Sequence, residues 1–187
     1  MIKIRTAKLK DLHTASEIYV GSWQNTYPGM ISQDYLDAMS ADHAEEKLIA
    51  YITEPSMRLF VAVNDDDIPI GILACSLYTE IDDCGIVDVL HISKDYKGYG
   101  IGTELVRRSA SYMLDHDCHS MAVDVVTANI NAVQFYSHTG AVGYERYMDM
   151  FDGTEADSLI MMWNDLKGVV NGKSGRHYTV IPEAIAV

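Results

Sequence analysis

Cysteine is scarce in this chain: three residues, Cys75, Cys84 and Cys118, among 187. The count is odd and no CxxC pair occurs, which argues against a disulfide framework and against a zinc site. Three buried free thiols in a reducing compartment are the simpler expectation. Basic residues are also few, 14 against 27 acidic ones, for a net charge of −13. Such a surface repels nucleic acid on average and attracts small cations. The same charge also serves solubility by itself. No apolar run approaches the ~20 residues that span a bilayer, so no membrane partner is expected. The first residues, Met1 to Arg5, lack the apolar core of a signal peptide, and a cytoplasmic protein is expected. The aspartates of Asn64-Asp65-Asp66-Asp67 lack the glycine and distal glutamate of a calcium loop. They read as a solvated turn, and no metal site is expected.

Hydrophobic residues make up 48% of the chain, enough for the core of one domain. Alternation over 2–5 predicts a first strand. Leu12, Ala15, Ile18 and Tyr19 recur at helical spacing and predict an amphipathic helix over 9–23. Tyr27-Pro28-Gly29 ends it, and Ser32 caps a short second helix. A third helix is expected over 42–53, stopped by Pro55. Segments 58–63 and 68–78 form a hairpin around the aspartate turn. The apolar, β-branched run 85–92 predicts a central strand. A helix over 101–116, a strand over 120–126, a helix over 129–139 closed by Gly140, and an antiparallel pair over 142–150 and 156–164 follow. This order is that of an α/β domain with a mixed, mostly antiparallel sheet of about seven strands and flanking helices. A domain over 1–166 and a tail over 167–187, docked or partly flexible, are expected.

The sharpest motif is Lys97-Gly98-Tyr99-Gly100-Ile101-Gly102-Thr103, set between a strong strand and a strong helix. Alternate glycines let the backbone turn with its amides pointing inward, and the helix adds its positive end. Together they suit a phosphate or pyrophosphate. The spacing is neither a Walker loop nor GxGxxG. A bare strand-helix turn without a ligand is the plain alternative, and a different nucleotide-dependent enzyme would need metal carboxylates that are not evident nearby.

Leu90-His91-Ile92-Ser93-Lys94-Asp95-Tyr96, running into that loop, resembles the coenzyme A signature of the GNAT family of N-acetyltransferases. Lys97 stands where the family has arginine or glutamine. A second block, Asn129-Ile130-Asn131-Ala132-Val133-Gln134-Phe135-Tyr136, is similar to the family's Asn-x-x-Ala-x-x-Phe-Tyr helix, with Gly140-Ala141 in place of Gly-Phe. The resemblance spans about 3–165. It implies a sheet splayed at its central parallel strands and acetyl-coenzyme A as co-substrate. By resemblance the loop from Lys97 and Gly98 through the amides of Tyr99, Gly100, Ile101, Gly102 and Thr103 grips the pyrophosphate. The backbone of Leu90, His91 and Ile92 pairs with the pantetheine arm, with Ile92's surroundings facing the oxyanion. Asn129 contacts the cofactor, as do the neighbouring Ala132 and Phe135, and Tyr136 is the general acid. A core tyrosine on a helix is the ordinary alternative for Tyr136.

The implied reaction is direct transfer of acetyl to an amine, which must lose a proton. Asp88 is the first candidate base and Glu80 the second; charge on the strands or orientation of substrate would account for either equally simply. Strict alternation puts His91 on the opposite face of its strand from Asp88. Trp23 and Tyr27, four residues apart, share a helical face and suit an acceptor cation; a seam packing the helix on the sheet would look the same. The acceptor expected is a small cationic amine. A peptide N-terminus, or a coenzyme A-binding module without turnover, remain as alternatives. A homodimer through the terminal strands or the tail is compatible with the pattern.

Overall fold

The computed structural model describes residues 2–77, 81–151 and 153–172, with the backbone of 179–180. Its strands are β1 (Lys3–Thr6), β2 (Met57–Val63), β3 (Pro69–Ser76), β4 (Cys84–Ile92), β5 (Ser120–Val126), β6 (Val142–Phe151), β7 (Thr154–Trp163) and the two-residue β8 (Thr179–Val180). The helices are α1 (Leu12–Thr26), α2 (Gln33–Ala38), α3 (Ala41–Leu48), α4 (Ala50–Thr53), α5 (Ile101–Leu114), α6 (Ile130–His138) and α7 (Leu166–Asn171). The strands form one sheet in the order β6-β7-β5-β4-β3-β2-β1-β8. β4 and β5 run parallel, as do β1 and β8; the other neighbours are antiparallel. The mixed, mostly antiparallel α/β sheet expected from the pattern is therefore present, with β8 added at one edge.

β2 and β3 explain why the middle of the chain reads as nearly continuous apolar sequence. Leu59, Val61, Val63, Ile72 and Ala74 face a core with Leu12 and Ala15 of α1 and Leu48 of α3. Phe60, Ala62, Leu73 and Cys75 face the other core, with Leu105, Val106 and Met113 of α5. Both faces are covered, so both alternate sets must be apolar. Burying each of the larger side chains contributes about 1.5–3 kcal/mol. α7 lies along α5, and Leu166, Val169 and Val170 join the α5-side core.

The parallel pair is short. β4 and β5 stay in register from Cys84↔Ser120 to Val87↔Val123 and then part. One residue later β4 bulges: Cys75 pairs with Val87 and Ala74 with Val89, leaving Asp88 as the extra residue. A bulge bends its strand and re-aims the side chains beyond it. From this point β4 has no strand partner on its β5 side, which is the splay the resemblance implies.

The aspartate turn is more than a solvated loop. Arg5, buried on β1, forks onto Asp11 at 2.7 and 3.0 Å. It also reaches Asp67 at 3.0 Å, and Lys10 closes on the same carboxylate at 2.5 Å. Hydrogen bonds from Lys10 and Arg5 hold the Asp67 carboxyl down at about 2. Asn64 Oδ1 accepts the amides of Asp66 and Ile68, shaping the hairpin that brings Asp67 to Arg5. The network ties the start of α1 to the β2–β3 turn. Asp11→Ala would leave a buried guanidinium short of a partner, with Asp67 still attached. It is expected to cost about 3 kcal/mol, the lower end for a broken buried pair, read from the urea unfolding midpoint at constant m.

Candidate functional site

A cavity of about 1180 Å³ opens where β4 and β5 separate. Its walls come from the end of α1, the C-terminal halves of β4 and β5, the loop before α5, and the start of α6.

The glycine loop forms one end. Gly98 and Gly100 have φ of +77° and +81°, a left-handed backbone that a side chain would strain by about 1–2 kcal/mol. Gly100 is the N-cap of the 14-residue α5. The amides of Ile101, Gly102 and Thr103 are thus the first of a helix, without partners inside it. Gly102 has a packing reason as well: a Cβ there would lie 3.1 Å from the Phe135 ring of α6. Lys97 sits at the loop's entrance, and it is the one cation among the described lining residues. The lining takes in Lys97, Gly98, Gly100, Ile101, Gly102 and Thr103 but not Tyr99, whose side chain is 49% exposed off the cavity wall.

β4 and α6 form the middle. Leu90, His91, Ile92, Asn129, Ala132, Phe135 and Tyr136 all line the cavity. Asn129 caps α6, its Oδ1 accepting from the amide of Ala132 at 3.2 Å, and the Tyr27 hydroxyl hydrogen-bonds its side chain. Its first role is therefore to fix the position of α6. Tyr136 is held edge-on against Trp163, with ring centroids 5.7 Å apart, and against Phe135 at 5.3 Å. Burial pushes its phenol well above 10, and the nearby Tyr27 adds to this. The phenol therefore keeps its proton at neutral pH.

The carboxylates gather at the other side of the splay. Asp88 is open to the cavity yet ringed by its walls, and desolvation lifts its carboxyl to about 6 against a hydrogen bond from Tyr51 of α4. Tyr51 is the partner that spacing alone does not announce. His91 packs edge-on against Tyr19 of α1 at 5.4 Å, on the α1 side of the sheet. Asp88, bonded to Tyr51 in the same core, turns to that side too. The expectation of opposite faces fails because the bulge at Asp88 breaks the alternation. Burial, with Lys97 nearby, drives the His91 imidazole down to about 3, so it stays neutral. Glu80 lies outside the described residues. Asp124 of β5 and Asp149 of β6 join the lining, neither of them singled out by a motif. Asp124 accepts a hydrogen bond from Tyr147, and burial, with Asp149 nearby, raises its carboxyl. The one available signal was an acidic residue at a core-facing period of two.

Trp23 and Tyr27 stand together at the acceptor end, ring centroids 4.7 Å apart, with Phe151 at 6.0 Å from Trp23. They also pack with Ile31, Leu36 and Val126, so they are seam and cavity wall at once. The three cysteines are free and buried. Burial pushes the Cys75 thiol far up and raises that of Cys118, which disfavours a thiolate at either.

Tyr51 stabilises the ionised form of Asp88, so removing its hydroxyl should raise the carboxyl. In an NMR titration Asp88 is expected to change near pH 6, and Tyr51→Phe to move that step upward. A step at the ordinary carboxylate value would contradict the desolvated setting.

Comparison with known proteins agrees with this architecture. The model of the acetyltransferase (GNAT) family matches residues 19–141. Among curated relatives, the Bacillus subtilis protein named uncharacterized N-acetyltransferase YuaI is 24% identical over 141 residues, 74% of this chain and 80% of its own. N-alpha-acetyltransferase 30 of Schizosaccharomyces pombe is 30% identical over 108 residues, 56% of this chain and 71% of its own. Among solved structures, the PaiA N-acetyltransferase of Thermoplasma acidophilum in complex with coenzyme A superposes with a TM-score of 0.67 at 21% identity, covering 87% of this chain and 98% of that one. The spermidine N-acetyltransferase of Vibrio cholerae in complex with coenzyme A and spermine gives 0.69 at 20% identity, covering 91% and 98%. Among the described residues, no helix is long and apolar enough to cross a membrane. With the family model covering about two thirds of the chain, strands β2 to β5 and both motif helices included, the chain belongs to the GNAT family and is an acyl-coenzyme A-dependent N-acetyltransferase, with acetyl-coenzyme A as its co-substrate.

Proposed function

We propose that this enzyme transfers acetyl directly to the amine of a small, cationic acceptor, with Tyr136 as general acid and Asp88 as general base. The observation that carries this reading is the polarity of the cavity. Lys97 and the first amides of α5 make one end electropositive, while Asp88, Asp124 and Asp149 make the other electronegative. The first end suits the pyrophosphate of coenzyme A, and the second an ammonium.

The residues fit the co-substrate. The glycines at 98, 100 and 102 leave the loop free of side chains where a diphosphate would approach, and Gly100 opens the helix that faces it. Past Val87 the β5-side edge of β4 offers unpaired backbone groups to an extended arm, as a sheet edge does to an added strand. Acetyl-coenzyme A supplies the activated acyl group. Asp88, lifted to about 6, is ionised at neutral pH but basic enough to take a proton from an incoming ammonium, directly or through water. A backbone amide near Ile92 stabilises negative charge on the carbonyl oxygen. The Tyr136 phenol, protonated by virtue of its burial, gives its proton to the leaving thiolate. Direct transfer fits a cavity whose described lining contains no cysteine. Residues 1–166 are read as the catalytic domain, with the remainder as a tail, in a cytoplasmic protein able to form a homodimer. Three buried free thiols favour the reducing compartment.

Tyr136→Phe is expected to leave acetyl-coenzyme A affinity within about twofold while lowering kcat by about 10²-fold, the lower range for loss of a general acid. Calorimetry and initial rates of thiol release read the two effects, and unchanged kcat would remove Tyr136 as the acid. Gly100→Asp should abolish calorimetric binding of acetyl-coenzyme A. The variant sets a carboxylate in a left-handed position beside the diphosphate, and retained affinity would exclude the loop.

A further inference from the structure

Asp124 and Asp149 share the acceptor end of the cavity with Ser158, and the reaction proposed above gives none of these three a proton to move. Register places them on one face. Ser158 of β7 pairs with Val126 of β5 and with Tyr147 of β6, while Asp149 pairs with Ala156, two residues from Ser158. Paired residues, and residues two apart, point to the same side of a sheet. That side is covered by Trp23, Tyr27 and Phe151.

Among the described residues, three features of this alcove are left open: two carboxylates without a cation, one hydroxyl and one indole N–H. Among the described residues no lysine or arginine pairs with either carboxylate. Arg146, the basic residue of β6, lies on the opposite face and is taken up by Asp157. Ser158 is 1% exposed, yet its Oγ has no hydrogen-bond partner among the described residues, although the residue lines the cavity. The indole Nε1 of Trp23, on the same wall, is likewise buried and without a partner. A buried hydroxyl or indole N–H left without a partner is costly and rare in a folded protein. Tyr147 donates to Oδ2 of Asp124 and the Val125 amide bonds the same carboxylate, while Asp149 Oδ1 accepts from the Met150 amide; these neutral donors leave both negative charges unbalanced. What the alcove lacks is a compact donor with positive charge. An ammonium carries three donors, suits two carboxylates and a hydroxyl, and is attracted to the faces of Trp23, Tyr27 and Phe151.

We infer that Asp124 and Asp149, with Ser158 and the aromatic wall, hold a second ammonium of the acceptor, so that the substrates are diamines or longer polyamines. This rests on the acceptor reading proposed above. The two carboxylate positions are close enough for one short molecule. Asp88 and Asp124 each lie one residue past the last paired position, Val87↔Val123. They flank an opening that begins at the ~4.8 Å spacing of neighbouring strands and widens. A spacer of a few carbons crosses it, with one nitrogen at Asp88 and the other in the alcove.

The test compares 1,4-diaminobutane with 1-aminobutane, which have the same chain length and differ by one ammonium. Initial rates of thiol release with acetyl-coenzyme A give kcat/KM for each amine, and calorimetry gives their affinities for the full chain saturated with coenzyme A. The expected result is a preference for the diamine of tenfold or more, expressed mainly in KM and shrinking as salt rises. In Asp124→Asn and in Asp149→Asn that ratio should fall toward one, with the smaller perturbation of the fold in the edge-strand variant Asp149→Asn. A wild-type ratio near one, or a ratio retained in the Asp124→Asn/Asp149→Asn double variant, would overturn the alcove. So would equal loss of kcat for both amines in Asp124→Asn, which would make that residue a base. Diamine binding that disappears in the variants, without thiol release from any amine, would keep the alcove and reject transfer to a small amine.

Discussion

Everything at the cavity depends on β4 and β5 ceasing to pair after Val87 and Val123. A parallel ladder satisfies backbone groups on both strands, and once it ends those groups need another partner. The bulge at Asp88 falls at that boundary. It adds a residue, bends β4 away, and turns Asp88 toward Tyr51 instead of letting it follow the alternation of its neighbours. One local irregularity thereby opens a cleft, exposes strand-like hydrogen-bonding groups to it, and sets a desolvated carboxylate at its rim.

The cleft is electrically divided by the elements that meet there. Helix α5 brings its positive end and Lys97 to one side. β5 and β6 bring Asp124 and Asp149 to the other, while Arg146 is turned to the far face and neutralised by Asp157. A chain with a net charge of −13 repels an anion at long range. Short-range amides and the helix end must therefore hold a diphosphate, because surface charge will not attract it. For a cationic acceptor both ranges act in the same direction.

Stability is supplied away from this cleft. The two cores on either face of β2 and β3 are filled by fully buried aliphatic residues, and the Arg5–Asp11–Asp67 network locks the entry to α1. The unsatisfied Ser158 Oγ, the desolvated Asp88 and the left-handed Gly98 and Gly100 all sit at the cavity. At this wall a ligand can supply the partners that Ser158 and Trp23 lack, and the rigid sheet around them tolerates their cost.

By itself the sequence determined the parts whose physics is local. Period-two and period-3.6 apolar patterns placed the strands and helices within a few residues, since each element must bury one face. The glycines at 98, 100 and 102 announced a backbone cradle, because only glycine takes those turns and that close approach to Phe135. The helix from Asn129 to Tyr136 was legible from its cap and its aromatic pair. Tertiary structure alone decided which side chains meet. Tyr51 reaches Asp88 from 37 positions away in the chain, and Arg5 crosses 62 to Asp67. Asp124, Tyr147 and Asp149 converge only once β5, β7 and β6 are in register. The bulge reversed the side expected for Asp88 relative to His91, because pairing with β3 selects a bulge and alternation along one strand does not encode it. Alternation and capping act between near neighbours and are written in order; register, desolvation and charge balance arise between strands distant in sequence, and appear only when the sheet closes.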